Sequence, residues 1–200
     1  YDEWKDDPDM IGDVMRFLDN VLSDFINKAP EQFKDAKYSA ERERSVGLGV
    51  MGFHSFLQKK RIPLESVMAK SWNKKIFKNI HEKVNQASKD LAEERGACPD
   101  AAEYGFKERF SNKTAIAPTA SISIICGGAS PGVEPIAANS YTHKTLSGSF
   151  NVRNRYLEEI LESHGKNDDE TWSTITTNQG SVSHLDFLTD LEKDVFKTAF

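Results

Sequence analysis

The sequence predicts an α/β fold in which helices outnumber strands. Three observations carry that expectation. Apolar residues recur at three- and four-residue spacing along several stretches, which is the helical period. A short apolar run, Thr114 to Ala117, opens on a β-branched residue and closes at Pro118, where the chain loses a backbone donor. Small residues follow, then Ile122, Ile124 and Ile125 and the stop Gly127-Gly128, the pattern of a tight loop leading into a short buried helix.

The elements follow in chain order. Tyr1 to Pro8 is acidic and aromatic without periodicity. From Asp9 to Asn27 the apolar positions 10, 11, 14, 15, 18, 21, 22, 25 and 26 alternate with Asp13, Arg16, Asp19 and Asp24, so an amphipathic helix is expected, ended by Ala29-Pro30. A polar connection leads to Glu41-Arg-Glu-Arg44. Gly47-Leu-Gly49-Val-Met-Gly52 matches the G-x-G-x-x-G pattern of dinucleotide-binding loops, yet charged residues precede it and a helical pattern occupies Met68 to Trp72, where a second strand with its acidic residue should end. The expected alternative is a helix that turns Val46, Val50, Phe53 and Leu57 to the core, with Gly49 and Gly52 admitting a close neighbour. After Ile62-Pro63 a long helix carries Trp72, Ile76, Ile80, Val84, Ala87 and Leu91 on one face and stops at Gly96. Its lysines are interspersed with Glu65, Glu82, Asp90, Glu93 and Glu94, which marks a solvated face rather than a nucleic-acid surface.

Extended structure is expected over Asn139 to Val152, as a hairpin or excursion around Ser147-Gly-Ser149. Tyr156, Leu157, Ile160 and Leu161 then form a helical face before Gly165, and a short helix follows through Trp172 and Ile175. Asp168 and Asp169 fit the solvated start of that helix better than a metal pair. Thr189-Asp-Leu-Glu192 is a capping box, and the helix it starts is expected to run to Phe200. No repeat or low-complexity run marks a second domain, so residues 1–200 are expected to form one.

Composition bounds the function. With 38% apolar and 28% charged residues, the chain can bury a core. A net charge of −5 argues against a general nucleic-acid or membrane-surface binder, which needs a basic stripe. No apolar stretch approaches the roughly 20 residues that span a bilayer, and the N-terminus is neither a signal nor a transit sequence, so a cytoplasmic protein is expected. Cys98 and Cys126, the only two cysteines, make neither a disulfide framework nor a metal site and are expected as buried or half-buried bystanders. His54 and His81 have no metal-ligand partners at suitable spacing; His54 is expected to pack.

The central stretch carries the candidate chemistry. The first N–H groups of a helix have no intrahelical partner, and small side chains let an anion approach them, so the turn 118–123 suits a phosphate or carboxylate; an ordinary capped helix start is the plainer alternative. Four motifs weigh on that choice: Arg44-Ser-Val-Gly-Leu-Gly-Val-Met-Gly52, Ala117-Pro-Thr-Ala-Ser-Ile-Ser123, Pro131-Gly-Val-Glu-Pro135 and Tyr141-Thr-His-Lys-Thr-Leu-Ser-Gly-Ser-Phe150. In this order they resemble the C-terminal part of the large, catalytic subunit of class I ribonucleotide reductase, in the version carried by T4-like bacteriophages. The resemblance covers nearly the whole chain.

It implies part of a ten-stranded α/β barrel. It also implies a parent enzyme that replaces the ribose 2′-hydroxyl of a nucleoside diphosphate by hydrogen through a protein thiyl radical, a carboxylate base and a pair of reducing cysteines. Carried over residue by residue, Pro118, Thr119, Ala120, Ser121, Ile122 and Ser123 form the loop that holds the substrate diphosphate. No catalytic residue, cofactor or metal is implied within these 200 residues: the Asn-Leu-Cys-x-Glu stretch with the radical cysteine and base, the redox cysteines, the nucleotide-sensing domain and the C-terminal cysteine tail have no counterpart. A piece truncated at both ends is therefore expected, inactive alone. Its implied partners are the remainder of the large subunit, a small subunit whose dimetal site generates the radical, the nucleoside diphosphate, nucleotide effectors, and thioredoxin or glutaredoxin as reductant; neither nucleic acid nor membrane is among them. Open strand edges imply either self-association as a homo-oligomer or a need for the missing half. The location is the cytoplasm, that of a bacterial host if the chain is a phage's. The competing class is a helical scaffold or assembly module without a ligand.

Overall fold

The computed structural model describes residues 1–146 and 148–200, and these fall into two compact units. The first comprises Tyr1–Gly49 and Asn73–Ala117, the second Val50–Trp72 and Pro118–Phe200.

In the first unit, α1 (Met10–Lys28) buries Ile11, Met15 and Ile26 on one stripe. Asp19 lies on the same stripe and is wholly buried, although its place among the polar residues of the sequence suggests an outward position. The opposite positions Phe17 and Val21 are exposed. The expected polar connection after Pro30 is instead a short 3-10 turn, Glu31–Phe33, and a helix, α2 (Lys34–Glu43). No residue of α2 is buried, so no apolar period announces it; Lys, Glu and Ala are good helix formers on their own. The part of helix α4 (Val67–Arg95) that belongs to this unit, from Asn73 on, buries Ile76, Ile80, Val84, Ala87 and Leu91, the stripe expected, and Gly96 follows with φ +89°. A short α5 (Pro99–Glu103) comes next, and Cys98 before it is buried.

The glycine-rich stretch departs from expectation. It is extended, not helical, up to Gly52: Leu48 forms a parallel bridge with Thr114, Val46 N–H donates to Asn112 O at 3.0 Å, and Ala115 N–H donates to Leu48 O at 3.1 Å. The close approach inferred for Gly49 does hold. A Cβ there would run into the Ala115 carbonyl oxygen. The strand expected over Thr114–Ala117 is reduced to that bridge at Thr114.

In the second unit, α3 (Phe53–Lys59) starts only after Gly52, whose φ of +79° a side-chain-bearing residue rarely adopts. The core is made by α7 (Arg155–Ser163), α8 (Asp169–Thr177) and α9 (Asp190–Val195), which contribute Leu157, Leu161, Trp172, Ile175 and Val195, joined by Val182, Leu185, Leu188 and Phe196. Asp168 caps α8 by accepting from Thr171 N–H at 2.7 Å, and the Thr189/Glu192 capping box at α9 is complete. Helix α9 does not continue to Phe200 as expected. It ends at Val195, and Ala199 N–H donates to Ile136 O at 3.0 Å, which ties the last residues to the chain at residue 136.

Strands β1 (Ser140–Thr145) and β2 (Gly148–Arg153) pair antiparallel from Ser140↔Arg153 to Thr145↔Gly148. The hairpin expected from the sequence is present. Ser147, the first residue of the Ser-Gly-Ser turn motif, lies outside the described residues.

Candidate functional site: the turn before the sixth helix

Pro118 ends the extended run, and Thr119 turns the chain with φ +52° into α6 (Ala120–Ile125). Left-handed backbone at a β-branched residue is uncommon and costs about 1–3 kcal/mol, so the surroundings must hold it. They do so through the side chain: the Thr119 hydroxyl oxygen accepts the Gly132 N–H at 2.8 Å. The Pro-Gly-Val-Glu-Pro motif is thereby joined to the loop.

The first bond of α6 runs from Ser123 N–H to Thr119 O at 2.9 Å, so the N–H groups of Ala120, Ser121 and Ile122 lie ahead of the intrahelical ladder. Ser123 anchors the helix. It is 3% exposed, its hydroxyl donates to Ala120 O at 3.2 Å, and its carbonyl accepts from Ala129 N–H. Because α6 is fixed through Ser123, its apolar side chains turn outward: Ile122 and Ile125 are 56% and 83% exposed. The buried helix expected from those isoleucines is thus an exposed one. Cys126, just beyond it, is exposed as well, against the expectation of a buried or half-buried thiol. A cleft of about 500 Å³ lies behind the loop, bordered by Ala120, Ser123, Ile124, Tyr141, Arg155 and Tyr156.

The segment that follows α6 is held by α3. Gly52 N–H donates to Ser130 O at 2.7 Å, Ser130 N–H donates to the Ser55 hydroxyl at 2.8 Å, and Ser55 N–H donates to the Ser130 hydroxyl at 3.1 Å. His54 beside them is wholly buried and accepts the Ile136 N–H on Nδ1 at 3.0 Å, so its expected packing role holds. Burial pushes this imidazole down to about 4, the Val195 carbonyl opposing by a smaller amount. None of these contacts is visible in the spacing of the residues. The polar motif Ser130-Pro-Gly132 following the helix is the one sequence feature that marks their partner.

Pro118 to Ser123 are brought together as one turn, with Pro118 and Ala120 to Ile122 exposed, Thr119 half-buried and Ser123 inward. The glycines of the G-x-G-x-x-G match stand elsewhere. Gly47 and Gly49 face the backbone and side chain of Ala115, and the position about 20 residues on is inside α4 rather than at a strand end. Among the described residues there is no group of three or more His, Cys, Asp or Glu that could hold a metal ion, and no helix long and apolar enough to cross a membrane.

Comparison with known proteins gives the family. The family described as "Ribonucleotide reductase, barrel domain" matches residues 2–109 and 100–200. The ribonucleoside-diphosphate reductase large subunit of Invertebrate iridescent virus 6 is 49% identical over 100% of this chain and 21% of its own length, and that of Invertebrate iridescent virus 3 is 45% identical over 99% of this chain and 32% of its own. The solved alpha subunit of a class Id ribonucleotide reductase from Actinobacillus ureae superposes with a TM-score of 0.89 at 40% identity, over 99% of this chain and 36% of that one. With the glycine-rich bridge and the Pro-Thr-Ala-Ser turn on one such backbone, this chain belongs to the ribonucleotide reductase large-subunit barrel family. It spans at most about a third of the length of these relatives.

Proposed function

We propose that the chain is a C-terminal piece of one barrel domain in a class I ribonucleoside-diphosphate reductase large subunit. Its turn Pro118–Ser123 holds the diphosphate of a ribonucleoside diphosphate there. The observation that carries this reading is the turn itself: within a chain of this family, Ala120, Ser121 and Ile122 present three N–H groups ahead of the helical ladder on small or outward-facing residues. Thr119 and Ser121 add hydroxyls, and Ser123 fixes the helix behind them.

In the parent subunit, a thiyl radical takes the 3′-hydrogen, a carboxylate acts as base, and two cysteines supply the electrons for loss of the 2′-hydroxyl. That apparatus belongs to segments this chain does not contain, so its own contribution is to bind and orient. Class I membership and the T4-like bacteriophage version rest on the four motifs. They bring with them a small subunit with a dimetal radical site, nucleotide effectors, thioredoxin or glutaredoxin as reductant, and a cytoplasmic setting. Unlike a helical scaffold without a ligand, this reading accounts for the strained Thr119 turn and its tie to Gly132.

The test is the gene that carries this chain. An Asn-Leu-Cys-x-Glu stretch is expected upstream, and the complete subunit with its small subunit should form deoxynucleotides, whereas the 200-residue chain should form none with any reductant. Deoxynucleotide formation by the short chain, or a complete subunit without that cysteine, contradicts the proposal.

A further inference from the structure

Resting on the reading of Pro118–Ser123 as the diphosphate loop, we propose that Ser55 and Ser130 are positioning residues for it, acting through Gly132 and Thr119. The two serines exchange bonds: each backbone N–H donates to the other's hydroxyl, at 2.8 Å from Ser130 and 3.1 Å from Ser55. Both are buried, at 9% and 1% exposure for Ser55 and Ser130, so these bonds are shielded from competing water. Ser55 stands in the first turn of α3, where its N–H has no intrahelical partner, and the Ser130 hydroxyl supplies one.

With Gly52 N–H on Ser130 O, three bonds fix residue 130 against the start of α3. Two residues further on, Gly132 presents its N–H to the Thr119 hydroxyl. Thr119 is the residue whose left-handed backbone aims the N–H groups of Ala120, Ser121 and Ile122. A strained turn of this kind persists only while its surroundings over-determine it. The partner is α3, which also holds Gly132 through a longer bond, Phe53 N–H to Gly132 O at 3.5 Å, and the shorter-bonded Ser55/Ser130 pair is the main joint that transmits its position to the loop.

The mechanism separates placement from stability. Losing the joint relaxes the turn and misdirects the N–H groups, so diphosphate affinity falls even though the fold remains. A merely structural pair would change melting alone.

The experiment uses the complete large subunit with its small subunit and measures KM, kcat and the equilibrium Kd for a ribonucleoside diphosphate. Ser55→Ala should raise KM and Kd about five- to tenfold and change kcat by less than about twofold, as expected for loss of one orienting hydrogen bond in binding. Thr119→Val, isosteric but without the hydroxyl, should raise KM similarly, and Thr119→Ser should recover most of that loss. Should Ser55→Ala fail to fold, Ser130→Ala, which removes the acceptor of the Ser55 N–H outside the loop itself, decides: the same rise in KM and Kd is expected, and parent values overturn the proposal. Parent values of KM and Kd in Ser55→Ala and Thr119→Val, whatever the melting temperature, overturn the proposal. Ala120→Asp in the same assay isolates the underlying site. If it binds as tightly as the parent, the loop is not the diphosphate site; if it alone weakens binding, the loop stands and the positioning role fails.

Discussion

The Asp19 carboxylate accepts from Arg44 Nη2 at 2.7 Å, with Asp19 wholly buried and Arg44 8% exposed. Arg95 Nη1 and Arg109 Nε reach the same carboxylate at 2.8 and 2.9 Å. Burial alone would raise this carboxyl, but hydrogen bonds from Arg109, Arg95 and Arg44 outweigh it and hold it below its ordinary 3.8. Asp19→Ala leaves buried guanidinium groups without their counter-charge and should cost about 3–5 kcal/mol in urea unfolding. The sign with pH follows from the depressed value. The stabilisation is complete above about pH 4, the ordinary carboxylate range, and is lost as pH falls through the lower folded value. A cost under about 1 kcal/mol would show the cluster to be solvated.

His54 predicts a second, separate acid window. Its folded value of about 4 lies below the ordinary 6.5. The unfolded chain therefore binds more protons between these values, so stability is complete above about pH 6.5 and falls on acidification until about pH 4. The loss amounts to about 3 kcal/mol across that window. His54→Asn keeps an acceptor for the Ile136 N–H and removes the titration, so its unfolding free energy should be flat from pH 7 to 5. A parent curve that is itself flat there contradicts the buried neutral imidazole.

Gly49 has no room for a side chain, because its Cβ would meet the Ala115 carbonyl oxygen beside the Leu48–Thr114 bridge. Gly49→Leu should lower stability by about 1–3 kcal/mol through overpacking. Thermal melting checks this, and nucleotide affinity of the complete subunit should fall no further than the lost folded fraction explains. A parent-like melt with lost nucleotide binding would revive the dinucleotide-loop reading of Gly47–Gly52.

What the sequence made legible were features written in local chemistry. The α4 stripe from Ile76 to Leu91, the Thr189/Glu192 capping box and the hairpin over Ser140–Arg153 follow from period, cap and strand propensity. Features set by distant partners were hidden. Asp19 reads as a surface carboxylate because its three arginines lie 25, 76 and 90 residues away. The extended run at Gly47–Gly49 exists because it pairs with residues 112–115, so its helix-like spacing misleads. At the candidate site the small-residue turn was legible, but Ile122 and Ile125 suggest burial, whereas the anchoring of α6 through Ser123 turns them outward. The Thr119–Gly132 tie, across 13 residues, has no signature beyond the two motifs it joins.

Calorimetric titration of a ribonucleoside diphosphate into Ala120 variants of the complete subunit shows whether the turn Pro118–Ser123 holds the diphosphate. Ala120→Gly keeps the N–H and should bind nearly as the parent does. If the turn holds the diphosphate, Ala120→Asp places a carboxylate beside it and should weaken binding at least about tenfold, or roughly 1.4 kcal/mol. Ser121→Ala should fall between them, losing one hydroxyl bond of about 0.5–1.5 kcal/mol. An Ala120→Asp subunit that folds normally and binds the nucleotide as tightly as the parent contradicts the assignment of Pro118–Ser123 as the diphosphate loop.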